Sequence, residues 1–141
     1  MNLQPELLGW EELLASVKAA LPQPIREETA PDGSLFITGG EPSEVVVRLT
    51  GSAVTVWEFA IEWEGPRTTV PRPIRFGSLQ WNHMPAGRAM TLLSGFIGAA
   101  RESRRSKYRQ CRMCEETKPP EWMHEEDFCQ SCAEKHLGVV Y

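Results

Sequence analysis

Residues 44–65 read EVVVRLTGSAVTVWEFAIEWEG, and the fold turns on how this stretch is read. Val45, Val47 and Leu49 alternate with other residues, Gly51-Ser52 interrupts, and alternation resumes with Trp57, Phe59, Ile61 and Trp63 against Glu58, Glu62 and Glu64. A period of two is strand geometry, because successive side chains point to opposite faces of a sheet. Gly-Ser between two such runs suits a two-residue hairpin turn. The expectation is an antiparallel hairpin, 44–50 against 53–64. Its aromatic row, with Trp57 and Trp63, faces the core, and Glu58, Glu62 and Glu64 lie on a solvated face.

Working outward, a short β-prone run at 35–38 precedes the hairpin, separated from it by the turn Gly39-Gly40-Glu41-Pro42-Ser43. Gly65-Pro66 turns the chain again before a fourth run at 68–76. Pro71 and Pro73 cannot donate to a ladder, which marks that run as an edge strand. Four strands with short connections predict an antiparallel meander. Before it, residues 6–21 carry Leu7, Trp10, Leu14, Val17 and Leu21 at helical spacing, ended by Pro22 and Pro24. The polar segment 27–33 reads as a connection with turn chemistry. After the meander, 84–108 predicts a long helix through Ala89, Met90, Leu93, Phe96, Ile97 and Ala100, with Pro85 in its first turn. Gly95 and Gly98 inside it predict a close approach to the sheet or to a partner. From Arg101 onward the helix turns basic and is expected to leave the core. The class is α+β: helix, four-stranded antiparallel meander, long helix, then a small cysteine-rich element.

The chain has 141 residues, 41% hydrophobic and 24% charged, with a net charge of −4. That is enough for one modest domain with its own core and a small appendage, divided as 1–108 and 109–141. No apolar run approaches the roughly 18 residues that span a bilayer, so no membrane partner is expected. The amino-terminal residues lack the basic start and apolar stretch of a signal peptide. A cytoplasmic or other reducing compartment follows as the expectation. Charge is unevenly spread. Arg101, Arg104, Arg105, Lys107, Arg109 and Arg112 face a single acid, Glu102, over 101–112, whereas 115–127 holds six acids against Lys118.

All four cysteines lie in the last 31 residues as Cys111-x2-Cys114-x14-Cys129-x2-Cys132. Each C-x2-C pair bends back on itself so that both thiolates reach one ion, and the loop returns the second pair to the first. A closed four-thiolate site is structural, and the ion expected is Zn2+, since so small a tail cannot bury enough apolar surface alone. The second pair opens a helix-forming run, 130–137, which Gly138 ends. There free N–H groups favour thiolates. Trp122 and Phe128 are the expected apolar core of the element.

Knuckle, hairpin, then a helix that starts with the last two ligands resembles the treble-clef zinc finger, with the layout of the GATA and DksA/TraR groups. The likeness covers about 109–138 and implies a fold more than a function. A treble clef also hosts HNH-type nuclease sites, which need a general-base His and a second metal. His124 on the hairpin and the Asn82-His83 pair are the only candidates. The function expected is therefore a non-catalytic adaptor or regulatory module, with a protein partner or a second copy favoured. Nucleic-acid binding through the basic stretch Arg101–Arg112 and the finger is the alternative, and an HNH-like nuclease the second alternative.

Overall fold

The structure is a computed structural model and describes residues 7–140. Its centre is a five-stranded antiparallel sheet built from β1 (Ile25–Thr29), β2 (Leu35–Gly39), β3 (Val45–Leu49), β4 (Val54–Glu58) and β7 (Ile74–Leu79), in the order β1-β2-β3-β4-β7. The hairpin forms as its sequence requires. Val47 faces Val56 and Leu49 faces Val54. The turn is Gly51-Ser52, closed by Thr50 N–H to the Ala53 carbonyl at 2.9 Å.

Three expectations about the sheet change. It has five strands, not four, because 25–29 within the presumed connection pairs with β2 from Ile25↔Gly39 to Thr29↔Leu35. β1 is an edge strand with four of its five residues exposed, so no apolar alternation announces it. The long run 53–64 also breaks after Glu58. Its second half, β5 (Ile61–Trp63), pairs with β6 (Thr69–Pro71) as a separate small hairpin before the chain returns as β7. Pro71 and Pro73 supply no N–H to continue a ladder there. The faces are inverted as well. Val54, Val56 and Glu58 point inward, while Trp57 lies opposite Val46 on the other side and is only half-buried. When both rows of a strand are apolar, alternation defines two faces without deciding which is inside. Here the valines of β3 decide it.

The inner face is covered by α1 (Trp10–Ala20) and α2 (Ala86–Ser106). Ile37, Val45, Val47, Leu49, Val54 and Val56 pack beneath Leu13 and Val17 of α1 and Ala89, Leu93, Ile97 and Ala100 of α2. Each Val, Leu or Ile among them contributes roughly 1.5–3 kcal/mol by leaving water. The expected helix start at residue 6 lies outside the described residues. Leu7 instead forms an isolated bridge with Pro85, and the first helical residue is Trp10. Gly95 and Gly98 make no close approach to the sheet, since among the described residues a Cβ at either would meet nothing within 4 Å. The residue with that role is Gly77 on β7, where a Cβ would sit 2.5 Å from the Phe96 ring. No helix among the described residues is long and apolar enough to cross a membrane.

Candidate metal centre

Beyond α2 the chain forms β8 (Arg109–Gln110), β9 (Thr117–Lys118), a 3-10 turn (Pro120–Trp122), β10 (Met123–His124), β11 (Phe128–Cys129) and α3 (Gln130–His136). β8 and β9 pair around the first C-x2-C, and Cys111 N–H donates to the Glu116 carbonyl at 2.9 Å. Glu115 takes φ 65°, a left-handed conformation, and its N–H reaches the Cys111 carbonyl at 2.9 Å. This tight turn folds Cys114 back over Cys111. The hairpin β10–β11 brings Cys129 opposite Met123. Cys129 then caps α3, with Cys132 N–H directed at its Sγ at 3.5 Å. Arg112 N–H donates to the Asp127 carbonyl at 2.8 Å, tying the first turn to the hairpin.

The four Sγ atoms lie within 4.8 Å of one another, and Cys114 Sγ is 3.9 Å from Cys129 Sγ. A tetrahedral ion with metal–sulfur bonds near 2.3 Å needs sulfur–sulfur edges of about 3.8 Å, so the donor set fits one metal ion. None of the four is in a disulfide, and Cys111, Cys129 and Cys132 are buried. The N–H of Cys114, with those of Cys129 and Met113, draws the Cys111 thiol down to about 6. Its thiol neighbours, Cys129 first, together with burial, push Cys132 up to about 12. Crowded thiolates repel, and a cation at their centre relieves the repulsion. Among the described residues this is the one group of three or more His, Cys, Asp or Glu side chains with metal-binding spacing. His83 sits in the 3-10 turn Trp81–His83 and His124 on β10, and neither belongs to such a group.

The six basic residues of the expected contact surface have other employment. Arg104 is 2% exposed and continues the buried stripe of α2. It is therefore no contact residue. Its Nη2 donates to Glu121 Oε2 at 2.6 Å and its Nε to the Ser43 carbonyl at 3.1 Å. The guanidinium lies against the rings of Phe59 and Tyr108, at 5.2 and 5.3 Å. Arg101 and Arg105 reach Glu44 Oε1 at 3.3 and 3.7 Å, and Lys107 reaches the fully buried Glu58 at 2.6 Å. Arg112 pairs with Asp127 at 3.3 Å, and Arg109 donates to the carbonyls of Ser106 and Tyr108. The carboxyl end of α2 thus stays on the sheet instead of projecting from it. Its acids come from strands and turns distant in sequence, which local charge counting does not reveal.

Glu121 is the residue that the sequence hid within an acidic block. Its carboxylate holds Arg104, and its carbonyl accepts from Trp63 Nε1 at 2.9 Å and Gln130 Nε2 at 3.1 Å. It thereby links the cysteine region to α2 and to the β5–β6 hairpin. Trp122, expected in the small core, is 42% exposed, with Lys118 Nζ 5.8 Å from its ring centroid. Phe128 is half-buried, and the apolar residue that closes the cysteine cluster is Met123.

Comparison with known proteins finds no matching family model, no matching curated protein and no matching solved structure.

Proposed function

We propose that Cys111, Cys114, Cys129 and Cys132 hold one structural zinc ion in a treble-clef finger spanning 109–141, docked on an α+β unit spanning 1–108, and that the protein is a non-catalytic interaction module. The observation that carries this reading is the donor set: four sulfurs within 4.8 Å of one another, three of them buried. Four thiolates complete a tetrahedron and leave no open position for substrate or water, as a catalytic zinc requires. Soft sulfur donors in that geometry select zinc over magnesium or calcium, and free thiols of this kind belong to a reducing, cytoplasmic setting.

The partner favoured is a protein. Met113, Trp122 and Leu137 leave 41%, 42% and 47% of their surface in water on this one small element. Aromatic and methionine side chains of this kind anchor protein interfaces. The basic stretch 101–112, by contrast, is largely committed to acids and carbonyls within the chain, which weakens it as a phosphate-tracking surface.

Cobalt substitution tests the metal reading. One equivalent of Co2+ per chain is expected to give the spectrum of a tetrahedral four-thiolate site, displaced by one equivalent of Zn2+ and reduced in Cys111→Ser. A disulfide-bonded product or a substoichiometric, octahedral spectrum would contradict it. The partner arm compares nuclease-treated captures by the wild type and by Trp122→Ala. A specific protein retained by the first and lost by the second is the expected result, whereas a capture abolished by nuclease would contradict it.

A further inference from the structure

The helices cover one face of the sheet, and the other is open. Two cross-strand rows lie on it. One runs Glu28, Phe36, Arg48, Thr55, Ser78, and the other Arg26, Thr38, Val46, Trp57, Arg75, the last pair meeting across a bulge. Phe36 and Trp57 lie side by side with ring centroids 6.5 Å apart and planes 25° from parallel. Where β4 ends, Phe59, Pro71 and Pro73 raise a wall, which leaves an apolar groove of about 300 Å³. One face of the Phe59 ring already carries Arg104. The groove is separate from the cysteine cluster and plays no part in the reading given above.

Charge identifies the occupant. The two rows hold three arginines and one acid, Glu28, on a chain whose net charge is −4. Arg48 is shared with Asp32 at 2.8 Å. Arg26 donates to the Ser43 hydroxyl, a neutral partner. Among the described residues neither Arg26 nor Arg75 forms an ion pair. These two uncompensated cations stand on β1 and β7, the opposite edges of the sheet, about 19 Å apart at four interstrand steps. Between them lie the rings of Phe36, which carries the Arg48 guanidinium 6.0 Å from its centroid, and of Trp57. The groove lining, which Val46 and Ala60 complete, is apolar, and of the hydroxyls in the two rows Thr55 and Ser78 bond each other at 2.9 Å. Rings that accept flat partners, flanked by cations, match the requirements of a sequence-tolerant stacking platform. A peptide strand is disfavoured, because the proline wall offers no N–H groups to pair with it. A duplex is disfavoured too, because its bases are stacked internally and not available to the rings.

We propose that this open face binds single-stranded nucleic acid, with bases stacked on Phe36, Trp57 and the exposed part of Phe59 and with phosphates passing Arg26, Arg48 and Arg75.

The test is fluorescence anisotropy of labelled 12-nucleotide oligo(dT) and oligo(U), a 12-base-pair duplex and a labelled decaproline peptide, each titrated with the full-length, zinc-loaded protein. Single strands are expected to bind at 50 mM salt and to weaken roughly 7–20-fold at 200 mM, the slope for two or three neutralised phosphates. Trp57→Ala is expected to weaken binding at least about fivefold. Arg75→Glu, at an exposed position that leaves the core untouched, is expected to weaken it and flatten the salt dependence, whereas Arg109→Ala leaves it unchanged. Absence of single-strand binding at 50 mM salt overturns the proposal. So does a preference for duplex, or binding that survives both Trp57→Ala and Arg75→Glu while each variant keeps its circular dichroism. Peptide bound in place of oligonucleotide also overturns it and assigns the groove to proline-rich chains.

Discussion

In the sheet unit sixteen buried side chains form one continuous apolar core; in the cysteine region the corresponding cluster has four members, three of which are cysteines. The first is held by the hydrophobic effect acting on Val, Leu and Ile from four strands and two helices. The second has little beyond Met123, Ala133 and Pro119 to bury beside its thiols, far below what ordering some thirty residues costs in conformational entropy. Two small regions of one chain therefore solve the same problem differently, by area in one and by coordination in the other. Between them runs a polar seam, in which Arg104 and Glu121 replace the apolar contact that would join two ordinary layers.

The largest effect that would sharpen this contrast is loss of a ligand. Cys111→Ser is expected to abolish the fixed structure of 109–140 while the sheet unit keeps its cooperative unfolding, read as a lost portion of near-ultraviolet circular dichroism beside a retained thermal transition. A single transition in the wild type that disappears entirely in the variant would show that the two regions are not separable. Next comes the seam. Arg104→Ala leaves Glu121 buried without its cation and is expected to cost about 3–5 kcal/mol, whereas replacing both partners with methionine costs far less. Urea denaturation measures both. Arg104→Lys does not rescue, because an ammonium cannot reproduce the planar fork held between two rings. A smaller cost, about 1–3 kcal/mol, is expected for Gly77→Ala, which drives a methyl into the Phe96 ring. That change acts on the sheet unit alone and leaves metal affinity as it was.

The smallest effect lies at the turn between β1 and β2. Asp32 accepts from the Ser34 hydroxyl at 2.6 Å and the Ser34 N–H at 2.9 Å. These bonds, with Arg48, hold its carboxyl down at about 2 from 3.8. A carboxyl lowered on folding stabilises the fold above its unfolded value and loses that contribution as pH falls through its folded value. The slight stability difference between wild type and Asp32→Asn is thus expected to be full above about pH 4 and to vanish towards pH 2, in parallel thermal melts. A difference that grows on acidification would contradict it.

How much could be read from the chain follows the same division. The cysteine spacing named its cluster outright, because two C-x2-C pairs encode a geometry in their separation. Leu13, Val17, Ala89, Leu93 and Ile97 announced two helices through their spacing, and Gly51-Ser52 announced the hairpin. β1 was silent because an exposed edge strand made of Ile-Arg-Glu-Glu-Thr needs no apolar alternation. The inversion of β4 was illegible because valines and aromatics alternate equally well, and only pairing with β3 decides which row is inside. Arg104 and Glu58 misled for a different reason. Charge is read locally as solvent exposure, yet each is buried against a partner, Glu121 or Lys107, that no local window contains.

Hydrogen–deuterium exchange of the zinc-loaded protein, followed by the same experiment after chelation, tests most directly whether coordination alone stands in for a core in the cysteine region. Chelation is expected to strip protection from the amides of 109–140 while those of β2, β3 and β4 keep theirs. Protection in 109–140 that persists without the metal would contradict that division.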